Sequence, residues 1–466
     1  MGWSSSGFAF AALLASAGNA AAPPAREADN GESPLVITSV VVLDTERGTP
    51  SAPQDIFIDK GRIVAIAPAR TRAAPHDARH IDGTGRFAMP GLIDVHAHVG
   101  NGGSARQDDA SRVVALGQFL RYGVTTVFVP GATGAGDADF PGLRQRCGSH
   151  AIVCPRIFGS GSIITARGSH PVSTIFDMPQ DVPAAATEAR GVTVLEPGQD
   201  IAALIAAKAA TGVDAIKIVV EDGPPPWHPK PRLTDDQIKT IVDAAHARGL
   251  RVFAHVSTAQ LTQVVVDAGA DGIMHAPVDP LADATLRRMA ERGIWYVPTF
   301  SLYDGILTWA RKQREADPYA LKGVPAAVIE SLAAPPFLAA SAETENEALG
   351  YLRNVSQNLH RAAAAGVPVA LGSDVNNPFV YPGYSAHEEL SKMVQSGMTP
   401  AQALKAGTAG GAAFLSASDR IGRIAPGFEA DILLLSRNPL LRIENSRSIV
   451  AVIADGRVVQ GSISND

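Results

Sequence analysis

The sequence predicts an α/β fold, in which a (β/α)8 TIM-like barrel is joined to a small β-sandwich domain that both termini form. Three observations predict this fold. Strand-like and helix-like segments alternate from about residue 92 to about residue 414, short strands with Gly-centred turns occur at both ends, and polar side chains recur where apolar strands end. Alternating strands and helices are typical of a parallel sheet covered by helices.

The amino terminus differs in composition from the rest of the chain. The run GFAFAALLASAGNAAAPPA is apolar, rich in alanine and ends in small residues and prolines, and no Lys or Arg precedes Arg26. The run is typical of a signal peptide, which we predict over residues 1–22, and a disordered Ala-rich tail is the alternative. A signal peptide implies a periplasmic or secreted protein, whereas a tail implies a cytoplasmic one.

Both ends of the remaining chain are rich in strand-like segments. LVITSVVVLD and QDIFIDKGRIVAIAP lie near the start, and EADILLLS and SIVAVIADGRVVQG lie near the end. Alternating apolar runs bounded by turn residues are typical of strands that are buried on one side. We therefore predict one β-sandwich domain from residues 34–90 and 420–466, which flanks a barrel domain of residues 91–419.

The middle of the chain contains eight candidate strands. They are LIDVHAHV, VTTVFV, RIFGSGSII, DAIKIVV, RVFAHV, GIMHA, WYVPTF and PVALGSD. Helical patterns such as DQIKTIVDAAHARG and LADATLRRMAERG lie between them, and this alternation predicts a parallel (β/α)8 barrel. The longest connection runs from Ser301 to Gly366, a length that usually indicates a functional loop or a lid.

Composition and charge exclude several classes of partner. The chain has 466 residues and a formal net charge of −6, without a basic patch, which argues against nucleic acid. No run approaches the roughly 18 apolar residues that a membrane span needs. The two cysteines, Cys147 and Cys154, have no metal-motif spacing, and either form a disulfide or are small residues beside a strand.

Lys217 stands in the middle of the apolar strand DAIKIVV. Lysine is almost never fully buried unless another group pairs with it. Active sites of (β/α)8 barrels lie at the carboxyl ends of the strands, so polar partners of Lys217 are expected there. The polar groups there, on strands one, four, five, six and eight, are His96, His98, Lys217, His255, His275 and Asp374.

These six groups predict a metal centre. A single strand histidine is more often a hydrogen-bonded core residue, and a His-x-His pair alone is a weak signal. Because alternate residues of a strand share a face, however, His96 and His98 point the same way. Six nitrogen and oxygen groups spread over five strands are hard to attribute to packing, and zinc suits such a mixed set.

Several motifs resemble the metal-dependent amidohydrolase superfamily in its binuclear form. They include FAMPGLIDVHAHVG, GVPVALGSDV, LTDDQIKTIVDAAHARGLRVFAHV and MAERGIWYVPTF, and the tail from MTPAQALKAG to EADILLL. The resemblance covers nearly everything from Leu35 onward and is closest to the prolidase-like and imidazolonepropionase-like branch. Relatives of this kind are often multimeric, so the resemblance also allows a homo-oligomer.

The resemblance implies two divalent metal ions, with zinc preferred, and a role for each ligand. His96, His98 and Asp374 would bind the more buried ion, and His255 and His275 the more exposed one. Lys217 would bridge the two ions as a carbamate formed with carbon dioxide. Burial favours this reaction because it lowers the pKa of a lysine, and only the neutral amine attacks carbon dioxide.

The resemblance also implies a mechanism. A metal-bridging hydroxide would attack the substrate carbonyl, and Asp374 would carry its proton to the leaving nitrogen. His170, in GSHP, partly matches a GGHG-like segment whose histidine helps to polarise the carbonyl. Arg167 either meets a substrate carboxylate or is a structural loop residue. The remaining candidates for substrate contacts are Trp227, His228 and Tyr303.

The predicted function is hydrolysis of an amide or peptide C–N bond in a small molecule, such as a dipeptide or an N-acyl amino acid. An aminohydrolase of a cyclic amidine or lactam is one alternative, but such relatives generally use one metal and lack the strand-four lysine. A lactone or ester hydrolase is another, because the same hydroxide would attack either carbonyl. A non-catalytic scaffold is a remote alternative, because all six candidate ligands are present.

Overall fold

The computed structural model of the protein describes most of the chain from residue 33 onward. The described residues are 33–99, 109–131, 136–176, 178–223, 230–312, 320 and 341–461. The predicted signal peptide, residues 1–22, lies outside them, and so do Trp227 and His228. Within the described residues, no helix is long and apolar enough to cross a membrane.

The strands and helices follow one another along the chain much as the sequence predicts. The strands are β1 Leu35–Asp44, β2 Thr49–Asp59, β3 Arg62–Pro68, β4 Arg79–Asp82, β5 Phe87–Pro90, β6 Leu92–Asp94, β7 Val124–Val129, β8 Arg156–Gly159, β9 Ile163–Ala166, β10 Val192–Leu195, β11 Ala215–Val219, β12 Arg251–His255, β13 Gly272–Met274, β14 Trp295–Val297, β15 Ile432–Leu435, β16 Ile449–Ala454 and β17 Arg457–Gln460. The helices are α1 Asp109–Arg121, α2 Gly136–Gly148, α3 Ala184–Glu188, α4 Ile201–Ala210, α5 Asp235–His246, α6 Ala259–Ala268, α7 Asp283–Arg292, α8 Phe300–Ala310, α9 Ala342–Ala364, α10 Tyr384–Gln395, α11 Pro400–Ala406 and α12 Ala409–Phe414. A short 3-10 helix covers Ile443–Arg447.

The two β-rich ends of the chain form one eight-stranded sheet. Its order is β17-β16-β15-β5-β1-β2-β3, with β4 paired to β1. The antiparallel pair of β5 and β15 joins the two ends, with Ala88 opposite Leu434. Buried side chains from both ends, such as Ile37, Ile56 and Ile432, pack in one cluster on this sheet. One sheet with strands from both ends agrees with the prediction that both termini contribute to one domain. The sandwich arrangement and the boundaries of the domains stay predictions.

The middle of the chain supplies parallel strands. β6, β7 and β8 form a three-stranded sheet, and the order of a six-stranded sheet is β10-β9-β11-β12-β13-β14. Every pairing within these two sheets is parallel, and helices alternate with the strands, which confirms the prediction of an α/β fold. The amide of Asp214, just before β11, donates to the carbonyl of Gly159 in β8 at 2.8 Å, so the two sheets are neighbours.

The eighth predicted strand, PVALGSD, is present only as isolated bridges. Val369 pairs with Tyr296 of β14, and Val375 pairs with Ala97 beyond β6. The segment therefore lies between the last and the first of the parallel strands. Closure of these strands into a complete (β/α)8 barrel stays a prediction at this point.

The third predicted strand, RIFGSGSII, is divided in the structure. β8 ends at Gly159 and β9 begins at Ile163, and Gly161 between them has a φ of 64°, a left-handed conformation that interrupts an extended strand. β9 then pairs with β10, a strand that the sequence analysis did not predict. The turn separates the run into two short strands with different neighbours.

Ionic contacts and a disulfide surround the start of β8. Cys147 and Cys154 form a disulfide that closes the loop between α2 and β8. The guanidinium of Arg156 contacts the carboxylate of Glu429 and lies 3.6 Å from that of Asp431. These contacts tie a parallel strand to the segment that leads into β15.

An aromatic cluster forms part of the core shared by the parallel strands and α12. The ring of Phe414 stacks on Phe253 with centroids 4.1 Å apart, and Phe128 and Trp295 approach it edge-on at 6.0 and 5.7 Å. Phe414 is completely buried. Its removal would leave a cavity that the surrounding rings could fill only by moving away from their present contacts.

We predict that Phe414→Ala lowers the free energy of unfolding by about 3–5 kcal/mol, the usual range for a buried phenylalanine. Urea denaturation of the purified protein measures this change. Val64→Ala is the matched control, because Val64 is 52% exposed and a surface truncation alters stability by about 0.5 kcal/mol or less. A loss for Phe414→Ala as small as that of the control would contradict the packing described here.

Candidate metal centre

The first parallel strand and the segment after residue 368 bring together two histidines and an aspartate. His96 and His98 follow β6, and the amide of Asp374 donates to the carbonyl of His96 at 2.7 Å. One carboxylate oxygen of Asp374, Oδ1, lies 3.3 Å from Nε2 of His96 and 3.2 Å from Nε2 of His98. The candidate ligand atoms of these three residues all lie within 4.8 Å of one another.

A buried carboxylate links the two segments that carry these residues. Oδ1 of Asp94 accepts hydrogen bonds from the backbone amides of His96 at 3.1 Å and Ser373 at 3.0 Å. Oδ2 accepts a third bond from the hydroxyl of Ser373 at 2.5 Å. Burial raises the pKa of Asp94 to about 6 although these bonds oppose the shift. Asp94 thereby aligns His96 with Ser373, the residue that precedes Asp374 in the chain.

Backbone strain is concentrated at the same place. Asp374, His275 and Thr299 have φ values of 56°, 78° and 50°, which residues other than glycine rarely adopt. Such conformations persist only when the surrounding structure holds them, and they are common at functional sites. The hydroxyl of Thr299 lies 3.0 Å from Nδ1 of His275, so one strained residue supports another.

Glu389 holds the segment that contains Thr299. Its carboxylate accepts the amides of Phe300 at 2.9 Å and Ser301 at 3.0 Å, together with the Ser301 hydroxyl at 3.1 Å. These amides belong to the first turn of α8, and amides in a first turn have no acceptor within their own helix. Burial raises the pKa of Glu389 to about 8. A carboxyl group on α10 therefore fixes the start of α8 and, through Thr299, the surroundings of His275.

The imidazoles of the candidate site form a continuous row. The centroids of His96 and His275 are 4.6 Å apart, those of His275 and His255 are 4.5 Å apart, and those of His255 and His170 are 4.7 Å apart. His98 adjoins the other end of the row, 5.4 Å from His96. The structure thus brings together five of the six histidines that the sequence analysis selected, and the sixth, His228, lies outside the described residues.

Lys217 contacts Met274, the residue before His275, and only 2% of its surface is exposed. Nζ is 3.0 Å from Sδ of Met274, a weak acceptor that compensates little for the water lost on burial. Burial lowers the pKa of Lys217 to about 7, and the negative charge of Asp374 opposes this shift. Near neutral pH, a substantial fraction of the lysine therefore carries the neutral amine.

Burial also keeps three of the imidazoles neutral, those of His96, His275 and His170. It lowers the pKa of His96 and of His275 well below the ordinary value of 6.5, and the neighbouring cationic groups lower it further. For His170, burial and the charge of His255 lower the pKa to about 3. A neutral imidazole has one nitrogen with a lone pair, which is the form that binds a metal.

The donor set fits a divalent cation. Nδ1 of His98 lies 2.8 Å from the carbonyl oxygen of Gly131, which can only accept, so this nitrogen carries the hydrogen. In the neutral imidazole, Nε2 of His98 then directs a lone pair at the carboxylate of Asp374, so that two electron-rich atoms face each other. Nδ1 of His96 is buried without a hydrogen-bond partner among the described residues. A cation between the imidazoles and the carboxylate resolves the repulsion, and zinc suits this donor set.

Glu221 belongs to the site, although sequence reasoning did not select it. One oxygen of its carboxylate lies 3.2 Å from Nε2 of His255, and the other accepts the amide of Gly223 at 2.7 Å. Burial alone would raise the pKa of Glu221, but the hydrogen bonds from His255 and Gly223 lower it to about 2. The available signal was an acidic residue directly after DAIKIVV, the apolar run that contains Lys217.

The predicted catalytic residue His170 and the predicted substrate contacts have different surroundings. His170 stacks on His255, and its Nδ1 lies 2.7 Å from the hydroxyl of Thr174. Tyr303 is buried, and its hydroxyl donates to the carbonyl of Ala276 at 2.7 Å.

Arg167 forms an ion pair with Glu196 and donates to the carbonyl of Gln180 at 2.8 Å, which agrees with its alternative interpretation as a structural loop residue. Trp227 and His228 lie outside the described residues. The roles of Arg167, Trp227, His228 and Tyr303 in substrate binding stay predictions, and so does the catalytic role of His170.

Comparison with known proteins establishes the family. Residues 87–459 match the sequence profile of the amidohydrolase family. The chain belongs to the amidohydrolase family. The ochratoxinase of Aspergillus niger is 24% identical over 410 residues, which cover 80% of this chain and 75% of the relative.

Solved structures show the same fold. A Xaa-Pro dipeptidase superimposes with a TM-score of 0.73 at 23% identity, covering 92% of this chain and all of the other. A molinate hydrolase superimposes with a TM-score of 0.71 at 20% identity, covering 92% of this chain and 95% of the other. The prediction of an amidohydrolase is confirmed, and this chain is a hydrolytic enzyme that acts on C–N bonds. The family is generally metal-dependent, and His96, His98 and Asp374 offer such a site.

We predict that Glu389 makes stability depend on pH. The folded-state pKa of about 8 lies above the ordinary value of 4.5, so the folded protein retains a proton that the unfolded chain releases. The stabilisation is therefore present below about pH 4.5 and is lost as pH rises through about 8. Compared with Glu389→Gln, the metal-free wild type should lose more unfolding free energy between pH 5 and pH 9 in chemical denaturation.

Glu291→Gln is the control, because Glu291 is exposed on α7 and should leave the pH dependence unchanged. A stability difference between wild type and Glu389→Gln that stays constant over this pH range would show that Glu389 does not retain its proton in the folded protein.

Proposed function

We propose that this amidohydrolase is a binuclear metal-dependent enzyme that cleaves the amide or peptide C–N bond of a small substrate, of the dipeptide or N-acyl amino acid type. The observation that carries the proposal is the placement of one Asp374 oxygen within 3.3 Å of both first-strand imidazoles, beside a row of further histidines. A buried lysine with a lowered pKa adjoins this row.

Two groups of residues would hold the two ions, for which zinc is the preferred candidate. His96, His98 and Asp374 would bind the more buried ion. His255 and His275 would bind the more exposed one, with their rings 4.5 Å apart and His275 within 4.6 Å of His96. Nδ1 of His275 faces Thr299 and the second oxygen of Asp374, which leaves Nε2 as its ligand nitrogen.

Lys217 would complete the set as a carbamate. The neutral amine attacks carbon dioxide, a bond forms between Nζ and carbon, and one proton is released to solvent. The product carries a negative charge on two oxygens, which suits a position between two cations. The pKa of about 7 supports this step, because it makes the neutral amine available at physiological pH.

The chemistry is divided between the ions and the side chains of this chain. When bound, two divalent ions lower the pKa of water and polarise a carbonyl oxygen. Asp374 accepts the proton of the attacking water and delivers it to the leaving nitrogen. Nδ1 of His170 lies 2.7 Å from the Thr174 hydroxyl. With this hydroxyl as the donor, Nε2 of His170 would carry the hydrogen and donate it to the substrate carbonyl.

The proposal includes a closed barrel and a sandwich. The backbone hydrogen bond from Asp214, just before β11, to Gly159 of β8 supports closure of the eight parallel strands, and so do the bridges from residues 369 and 375 to the neighbouring strands. The TM-score of 0.73 to the Xaa-Pro dipeptidase supports the same architecture. The eight-stranded sheet supports a β-sandwich built from both termini around a barrel domain of residues 91–419.

We also propose a periplasmic or secreted location. The Ala-rich apolar run at the amino terminus supports it. The disulfide between Cys147 and Cys154 is the second support, because such bonds persist mainly in oxidising compartments.

A substrate screen tests the reaction. Solved relatives are named for Xaa-Pro dipeptides, ochratoxin and molinate, which supports a small substrate without selecting one. The zinc-loaded enzyme should hydrolyse Xaa-Pro dipeptides or N-acyl amino acids with a higher kcat/KM than lactones. Preference for lactones over every amide tested would contradict the proposed C–N specificity.

We predict that Lys217→Ala retains one equivalent of zinc, loses the second, and loses activity by at least about 10³-fold, the upper range for removal of one electrostatic stabiliser. Short carboxylic acids should restore part of the activity, because they fit the space of the missing carbamate. Elemental analysis and kinetic assays measure both effects.

Lys208→Met is the matched control. Lys208 is a second buried lysine, and it donates to the hydroxyl of Ser162 at 2.7 Å, away from the histidine row. This variant should retain both equivalents of zinc. Two tightly bound equivalents in Lys217→Ala would rule out the bridging role.

A further inference from the structure

We propose that Glu221 is a positioning residue that holds His255 in one tautomer and one orientation, so that Nδ1 is the only nitrogen of that ring able to bind a cation. The inference deepens the proposed function and rests on it, since His255 is a ligand only if the second metal site exists. Glu221 does not touch the substrate or the metal in this account, and acts through His255.

The strand register brings the two residues together. Val219, the last residue of β11, pairs with His255, the last residue of β12, and the amide of Val220 donates to the carbonyl of His255 at 3.0 Å. Glu221 is the next residue of the chain, and its Oε2 lies 3.2 Å from Nε2 of His255. Parallel pairing therefore places the carboxylate beside the imidazole at the end of the neighbouring strand.

The carboxylate is itself held in place. Oε1 accepts the amide of Gly223 at 2.7 Å, so each of its two oxygens has a partner. Only 6% of the Glu221 surface is exposed. A carboxylate with both oxygens engaged and little access to solvent is poorly placed as a proton shuttle for substrate. It is well placed as a fixed hydrogen-bond acceptor.

A fixed acceptor decides which nitrogen of His255 carries the hydrogen. A carboxylate oxygen accepts, so Nε2, which lies 3.2 Å from Oε2 of Glu221, carries the hydrogen of this contact. The lone pair is then on Nδ1. The ring of His170, stacked on His255 with an interplanar angle of 23°, restricts tilting of the ring, while Glu221 restricts its rotation within the plane.

Glu221 also differs from the groups behind the other histidines. His98 donates to the uncharged carbonyl of Gly131. Nδ1 of His275 lies 3.0 Å from the uncharged hydroxyl of Thr299, and the Asp374 carboxylate is farther from it, at 3.6 Å. A carboxylate makes the imidazole that it supports a stronger donor to a metal. The more exposed ion, which would have His255 and His275 as its only imidazole ligands, gains most from such support.

Two variants and two readouts test the inference. Glu221→Leu removes the acceptor, and Glu221→Gln keeps an oxygen that can accept but removes the charge. In metal-free protein labelled with 15N-histidine, we expect the His255 signal, assigned by its loss in His255→Asn, to show the Nε2–H tautomer. Glu221→Leu should lose this fixed tautomer, and Glu221→Gln should retain it in part.

Calorimetric titration with zinc is the second readout. In Glu221→Leu the second equivalent should bind about 10- to 100-fold more weakly, the usual effect of removing a group that supports a metal ligand. The first equivalent should bind as in the wild type. Asp271→Asn is the matched control, because Asp271 supports His246 at 2.8 Å in a carboxylate–histidine pair outside the site. It should leave both affinities unchanged.

The outcomes separate the inference from the proposed function. Unchanged tautomer and unchanged affinity for the second equivalent in both variants would overturn the role of Glu221. A wild type that binds a single equivalent would overturn the binuclear function instead, and the tautomer measurement would then decide the positioning role alone. Glu221→Gln preserves the shape of the side chain. If Glu221→Leu does not fold, the tautomer and the zinc affinity of Glu221→Gln therefore decide the role of Glu221.

Discussion

The candidate site depends on the hydrogen bonds that hold residues 371–375 against the end of β6. The amide of Val95 donates to Leu371, the amide of Asp374 donates to His96, and the carboxylate of Asp94 joins the two segments through Ser373. These bonds keep Asp374 in a left-handed backbone conformation and direct its carboxylate between two imidazoles. Loss of this connection would separate the carboxylate from the histidines before any chemistry could begin.

Burial then determines what the assembled side chains can do. Desolvation keeps His96, His170 and His275 neutral and makes Lys217 partly neutral near pH 7, so nitrogen lone pairs replace positive charges. In the same small volume, Glu221 is held as a carboxylate by its hydrogen bonds. Neutral imidazoles beside carboxylate oxygens attract a divalent cation, and a low local dielectric strengthens that attraction.

Local patterns in the sequence were sufficient to predict the α/β fold, the family and the histidines, lysine and aspartate that the structure brings together. They were sufficient because strand-end positions follow from apolar runs, and the carboxyl ends of parallel strands share one edge. Glu221 directly follows the apolar run DAIKIVV, but its role could not be predicted from that position, because the role depends on the register of β11 against β12. Glu389 contacts Ser301 from 88 positions away, and the pairing of β5 with β15 joins opposite ends of the chain, so neither leaves a local signal.

Anomalous diffraction at the zinc edge, from crystals of the protein grown with zinc, tests the central claim most directly. The account predicts two peaks. One lies about 2.0–2.2 Å from ligand atoms of His96, His98 and Asp374, and the other lies at the same distance from His255 and His275. Electron density for a carbamate on Lys217 should extend between them. The absence of any peak within coordinating distance of Asp374 would contradict the account.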